Sequence, residues 1–214
     1  GTGSVGGAIV RALVEQGEAV RVLARRTSKT HQLELLNVEI AYGDIFDTTS
    51  IESALDGCDT LFHAAAMYDL WGLTEEELTR AAVEGTRNAL DAALNAGVGR
   101  VVYTSTAATI GEPRGEIGTE ETVHRGYFLS KYEKAKFEAE KVAGSYLDRG
   151  LSLSIVNPSQ AYGPGDFKPS GRFVMDYVNG RFPGLSKGTI SLVYLDDVGR
   201  SHALAASKGK VGER

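Results

Sequence analysis

Apolar runs of about five residues alternate with stretches of helical periodicity along this chain of 214 residues, and that alternation restricts the fold more than any other feature. Residues 19–24 read as a strand, 30–36 as a short helix, 38–42 as a strand, and 49–55 as a helix with Thr49 and Glu52 as its capping box. A strand over 59–65 follows. The next helix is opened by the capping box of Thr74 and Glu77, runs through Ala96 and is closed by Gly97. A strand over 100–105, a long helix over 126–146 with Phe128, Tyr132, Ala135, Ala139 and Val142 on one stripe, and a strand over 151–156 continue the series. Strand, helix and strand at this spacing mean an α/β fold, a parallel doubly wound sheet with helices on both faces. After Pro158 the pattern loosens: four of the five prolines fall between Pro158 and Gly184, which reads as a lid over a ligand. A strand over 190–195 and a final helix from Asp196 or Asp197 close the chain.

Ahead of the first strand stands Gly1-Thr2-Gly3-Ser4-Val5-Gly6-Gly7, which runs into a helical stripe of Ala8, Ile9, Ala12 and Leu13. Positions without side chains let a ligand approach the backbone, and a helix N-terminus offers free N–H groups and a positive dipole end. Gly3-x-x-Gly6 is therefore a phosphate cradle. A turn of this kind is fed by an apolar strand that sits centrally in the sheet. The sequence starts without one, so the chain reads as a piece of a longer protein.

The charge balance excludes several partners. A net charge of −5, a pI near 5.5 and no basic stripe argue against nucleic acid or an anionic membrane, and no stretch approaches the ~20 apolar residues of a membrane span. Cys58 is the one cysteine, and the four histidines show no paired ligand spacing, so neither a disulfide nor a metal site is expected. A small-molecule enzyme of the reducing cytoplasm fits this composition.

In parallel sheets ligands bind beyond the carboxyl ends of the strands. Those ends carry Arg25-Arg26, Asp44-Ile45, Ala64-Ala65-Ala66, Thr104-Ser105-Thr106 and Asn157-Pro158-Ser159. Next to them, the long helix holds two Tyr-x-x-x-Lys pairs, Tyr127 with Lys131 and Tyr132 with Lys136. Residues four apart share a helix face, and an ammonium beside a phenol favours phenolate, which turns a poor acid–base group into a usable one. Spacing alone leaves both pairs open.

Taken in order, Gly3-x-x-Gly6, Gly43-Asp44-Ile45, Phe62-His63-Ala64-Ala65, Val83-Glu84-Gly85-Thr86, Val101 to Thr106, Tyr127-x-x-Ser130-Lys131, Asn157-Pro158-x-x-Ala161-Tyr162-Gly163-Pro164 and Val193 to Val198 resemble the extended short-chain dehydrogenase/reductase superfamily, or NAD-dependent epimerase/dehydratase family. Its dihydroflavonol reductase-like and sugar epimerase-like branches are the most similar. The resemblance covers essentially the whole chain. It implies an NAD(P)-binding Rossmann core over 1–157, a substrate-lobe or lid segment over 158–189 and a return to the core over 190–214. Where the family often has asparagine, Ala82 stands, which puts a polar role there in doubt.

By that resemblance the Tyr-x-x-Ser-Lys form selects Tyr127 as general acid/base, with Lys131 beside it and Thr106 hydrogen-bonding the reacting oxygen; Tyr132 becomes a core or interface aromatic. The cofactor is expected on Gly3, Ser4, Val5, Gly6, Arg25, Arg26, Asp44, Ile45, Ala64, Ala65, Ala66, Thr104, Tyr127, Lys131, Asn157, Pro158 and Ser159. No acid follows the 19–24 strand to hold a ribose 2′-hydroxyl, and two guanidinium groups suit a 2′-phosphate, so NADP(H) is favoured and NAD(H) is the alternative. Substrate contacts are expected from Tyr68, Trp71, Thr106, Gln160 and Arg172, while His63 and Cys58 read as packing. The implied function is NAD(P)-dependent hydride transfer to or from a carbonyl or secondary alcohol, of dihydroflavonol reductase type. A nucleotide-sugar epimerase or dehydratase and a non-catalytic dinucleotide-binding regulator are the alternatives. A homodimer through the 75–96 and 126–146 helices is expected.

Overall fold

Parallel pairing is what the strand–helix alternation demands, and among the described residues of the computed structural model every strand pair is parallel. The structure describes residues 1–66, 72–164, 166, 169–181, 184 and 189–214. In order, the elements are α1 (Ser4–Glu15), β1 (Arg21–Ala24), α2 (His31–Glu34), β2 (Glu39–Tyr42), α3 (Thr48–Leu55), β3 (Thr60–His63), α4 (Glu75–Asn95) and β4 (Arg100–Thr104). A 3-10 turn (Ala107–Ile110), α5 (Lys131–Ser145), β5 (Leu153–Val156), β6 (Gln160–Tyr162), α6 (Pro169–Val178), β7 (Leu192–Tyr194) and α7 (Leu195–Lys208) follow.

β3, β4 and β5 form one ladder, β1 and β2 a second, β6 and β7 a third. On β4, Val101, Val102 and Tyr103 are buried in succession, as expected for a strand covered on both faces. Leu90, Ala92 and Ala93 of α4, Ala143 of α5 and Leu153 of β5 share a core with Val101 and Tyr103. α4 packs along α5, and α1 packs along α7, which also touches β4 and β5. Residues of both β1 and β3 line a cleft of about 2620 Å³, and no hydrogen-bonded pair joins these two strands among the described residues.

Local chemistry sets the helix starts. At α4, Glu77 N donates to Thr74 Oγ1 at 3.2 Å while Thr74 N donates back to Glu77 Oε2 at 2.9 Å, the reciprocal box read from the sequence. α3 departs from its expected box. Its cap is Asp47, whose Oδ1 accepts from Ser50 N at 3.4 Å, and Glu52 instead accepts from Asn95 Nδ2 of α4 at 2.7 Å.

The largest correction concerns α5, which begins at Lys131 and not at Gly126. Ser130 is its N-cap: Glu133 N donates to Ser130 Oγ at 3.1 Å, and the Glu133 carboxylate takes Leu129 N at 2.8 Å together with the Arg125 guanidinium. Gly126, at φ +87°, turns the chain away from any helical continuation. Tyr127 therefore lies on the loop before the helix.

α1 and α7 meet at a glycine. A Cβ on Gly199 would be driven into the carbonyl oxygen of Ala8, and backbone lies behind it, so the two helices touch main chain to main chain. Mid-helix Gly→Ala ordinarily stabilises by ~0.5–1 kcal/mol, whereas overpacking costs about 1–3 kcal/mol. Gly199→Ala is therefore expected to lower stability in denaturant unfolding, the reverse of helix propensity; an unchanged or raised midpoint would show that α7 can shift outward at no cost.

Candidate active site

The glycine turn opens the cleft. Gly3 is the N-cap of α1 in extended conformation, and no side chain caps the first turn. Among the described residues a Cβ at Gly3 would meet nothing within 4 Å, which leaves backbone open to a ligand such as a pyrophosphate. Gly6 differs: its Cβ would come within 3.0 Å of Gly1 Cα, a close approach of backbone to backbone. Ser4 Oγ donates to Asp166 Oδ1 at 3.2 Å, linking the turn to the 158–189 segment.

Gly3, Ser4, Val5, Gly6, Arg25, Asp44, Ile45, Ala64, Ala65, Ala66, Thr104, Thr106, Pro158, Ser159 and Gln160 all line this one cleft. Arg25 reaches it from the end of β1. Arg26 does not line it, and its guanidinium lies 5.1 Å from the centroid of the Tyr42 ring. The Asp44 carboxylate accepts from Phe46 N at 3.0 Å and shapes the turn after β2. Arg172 is exposed on α6, away from the lining. Tyr68 and Trp71 lie outside the described residues.

Tyr127 and Lys131 are not brought together on a helix face. The Tyr127 ring is 54% exposed, sits 5.2 Å from the Arg125 guanidinium carbon and does not line the cleft. Lys131 Nζ donates to the carbonyl oxygen of Leu73. The other pair has the expected geometry: Tyr132 and Lys136 lie in the first two turns of α5, and both line the cleft beside Thr104, Ser105 and Thr106. The signal that finds them is Ser130-x-x-Glu133, the same capping pattern that opens α4; applied here, it moves the helix start past Tyr127.

Lys136 is the charged group at the centre. It is 5% exposed, donates from Nζ to Thr104 O at 2.8 Å and sits 5.0 Å from the centroid of the Tyr103 ring. Burial pushes its ammonium down to about 8, against the opposing pull of the Glu140 charge. His63, at the end of β3, stacks on Tyr103 with centroids 5.4 Å apart, and burial first and the Lys136 charge second push it down to about 3. The Tyr103 hydroxyl, raised by burial, stays protonated 3.4 Å from Thr86 Oγ1.

Thr104, which ends β4, and the two residues after it have different tasks. Thr104 Oγ1 lies 2.9 Å from Nε2 of the fully buried His202, whose Nδ1 lies 2.7 Å from Val198 O. A carbonyl only accepts, so Nδ1 carries the proton and neutral His202 receives the Thr104 hydroxyl at Nε2. Ser105 is 5% exposed and donates to Glu140. Thr106, which accepts from Ala108 N at 3.4 Å, is left on the cleft wall. Asn157 stands behind that wall, with Nδ2 2.9 Å from Glu140 Oε2. His202 and Glu140 escaped sequence reasoning because their partners are 98 and 35 residues away. Among the described residues no three His, Cys, Asp or Glu side chains gather to hold a metal, and no helix is long and apolar enough to cross a membrane.

The sequence profile described as the 3-beta hydroxysteroid dehydrogenase/isomerase family matches residues 1–210. The chain is 39% identical over 216 residues to sterol demethylase protein B of Methylococcus capsulatus, covering 100% of the chain and 66% of that protein. It is 37% identical over 216 residues to a putative dihydroflavonol 4-reductase of Synechocystis, covering 98% of the chain and 62% of the relative. The chain thus spans a little under two thirds of the length of these relatives. Among solved structures, a dTDP-glucose 4,6-dehydratase from Streptomyces venezuelae with NAD bound superposes with a TM-score of 0.84 at 28% identity, over 99% of this chain and 71% of that one.

The neutral, buried His63 ties stability to pH. Its ring protonates near its ordinary 6.5 when unfolded and only at about 3 when folded, so between these values the unfolded state binds more protons and stability falls as pH falls. The thermal midpoint is expected to drop between pH 7 and pH 5, and His63→Asn is expected to flatten that slope. An equal slope in wild type and variant would remove His63 as its source.

Proposed function

Because the chain belongs to the 3-beta hydroxysteroid dehydrogenase/isomerase family, within the extended short-chain dehydrogenases/reductases, we propose that its cleft is the site of hydride transfer between a nicotinamide dinucleotide and a carbonyl or secondary alcohol. The observation that carries this reading is one cleft lined both by the glycine turn and by Thr106, Tyr132 and the buried Lys136. Catalysis is assigned to Tyr132 and Lys136, in place of Tyr127 and Lys131, because only the former pair lines that cleft.

The residues present fit the cofactor. Gly3 to Gly6 and the uncapped start of α1 would take the pyrophosphate, Asp44 and Ile45 the adenine, and Ala64 to Ala66 with Pro158 and Ser159 the nicotinamide half. The bound dinucleotide supplies or accepts the hydride. Tyr132 gives the reacting oxygen its proton at Oη in the reductive direction, Thr106 Oγ1 donates a hydrogen bond to the same oxygen, and Lys136 keeps a positive charge on that side of α5. Held by the Thr104 carbonyl, the ammonium is placed before any ligand arrives. NADP(H) is preferred in this reading, since Arg25 lines the cleft after β1 and no acid stands beside it.

A ketone reductase is the first reading, in keeping with the names of the reductases among the relatives. A nucleotide-sugar epimerase or dehydratase is the second, favoured by the NAD-bound dehydratase that superposes on the chain. A reductase releases its oxidised cofactor, whereas an epimerase retains it through purification. A cytoplasmic homodimer through α4 and α5 belongs to the same reading, and sedimentation as a monomer would count against it.

Tyr132→Phe is expected to lower kcat by about 100-fold or more, within the ~10²–10⁴ range of general acid–base catalysis, with cofactor affinity kept. Tyr127→Phe should retain turnover within about threefold. The opposite pattern returns the role to Tyr127. Turnover that needs Lys136 charged falls as pH rises through about 8. Arg25→Ala should weaken NADPH binding more than NADH binding in a fluorescence titration, and equal weakening would remove the 2′-phosphate contact.

A further inference from the structure

One carboxylate organises the wall that presents Thr106. Glu140 Oε2 receives Ser105 Oγ, Thr109 Oγ1 at 2.7 Å and Asn157 Nδ2 at 2.9 Å, while Oε1 faces Arg214 Nη1 at 3.3 Å. Its side chain is 11% exposed. These three donors bracket Thr106 in the chain and in space. Ser105 precedes it, Thr109 lies in the 3-10 turn that Thr106 caps, and Asn157 follows β5 just before the cleft-lining Pro158 and Ser159.

The same donors also hold the Thr106 backbone. Thr106 O accepts from Thr109 N at 3.0 Å and lies 2.8 Å from Thr109 Oγ1 and 3.3 Å from Asn157 Nδ2. Thr109 Oγ1 has one proton, so it serves either Glu140 or the Thr106 carbonyl at any moment. Asn157 divides its two N–H groups among Glu140, Thr109 Oγ1 and that carbonyl. Without the carboxylate, Ser105 and Thr109 lose a buried charged acceptor, and their hydroxyls are freed to re-pair with one another at 3.5 Å. The backbone that aims Thr106 then has a second arrangement.

We propose that Glu140 is a positioning residue of the active site, acting through Ser105, Thr109 and Asn157 to hold the Thr106 hydroxyl on the cleft wall. The inference rests on the reading of the cleft as a hydride-transfer site. Glu140 touches no reacting atom; its effect on turnover passes through Thr106.

The test is a double-mutant cycle of Glu140→Gln and Thr106→Val, with NADPH titration, thermal unfolding and NADPH oxidation against a panel of dihydroflavonol and 3-oxosteroid ketones. Glu140→Gln alone is expected to lower kcat at least tenfold, with the NADPH Kd within about threefold of wild type. In the Thr106→Val background the same change should cost no more than about twofold, because the group it positions is already gone. Full loss in that background, unchanged kcat in the single variant, or loss matched by an equal loss of NADPH binding would each overturn the proposal. Should Glu140→Gln fail to fold, Ser105→Ala takes its place in the cycle. If no ketone of the panel is turned over, the Thr106 methyl resonance of [13C-methyl]threonine-labelled protein decides the matter: displaced in Glu140→Gln supports the role, and coincident with wild type overturns it. Tyr132→Phe measured alongside separates the two claims. Wild-type turnover there removes Tyr132 as the acid while the cycle still decides Glu140.

Discussion

Where α5 begins determines which side chains reach the cleft. Ser130 caps the helix, and Glu133, held by Arg125 and by the Leu129 amide, fixes the loop that precedes it. His124 lies over the same carboxylate at 3.5 Å and stacks on Phe128 and Phe137, so the cap is also an apolar and ionic anchor. A buried carboxylate needs its partners in place, which makes this start a single well-defined register and not a frayed end. From that start the period of the helix carries Tyr132 and Lys136 to the cleft and leaves Tyr127 outside on the loop.

The carboxyl end of β4 is the second fixed point. Lys136 holds the Thr104 carbonyl from α5, His202 holds its hydroxyl from α7, and Glu140 holds the next residue, Ser105. α5 and α7 thus converge on two consecutive residues, Thr104 and Ser105. Thr106 is left at the cleft because its neighbours are already committed. The cost of burying these polar groups is offset only by their mutual hydrogen bonds, so the wall tolerates little rearrangement.

The glycine turn works by the opposite principle. Among the described residues nothing occupies the space beside Gly3, and no side chain caps α1. In the proposed reading its N–H groups take a phosphate, whereas Lys136, Thr104 and Ser105 are hydrogen-bonded within the chain. The two regions are therefore built differently in one cleft, the first from open backbone and the second from packed side chains.

Much of this could be read from the residues. Alternation of strand and helix gave a parallel sheet because the periods of two and 3.6 are local properties of sequence. The box of Thr74 and Glu77, the glycine turn, and the strand ends that line the cleft are local as well, and each appears in the fold where its residues stand. The Tyr-Lys pair was not legible in this way. Two pairs with identical spacing follow one another, and periodicity says which residues share a face without saying where the helix starts. The start depends on Glu133 finding Arg125 and the Leu129 amide, and the environment of Lys136 depends on β4 and α4 closing over it. Both are contacts between elements, and desolvation exists only once those elements have packed; the sequence determined the scaffold and its phosphate turn, and tertiary structure decided which tyrosine faces the cleft.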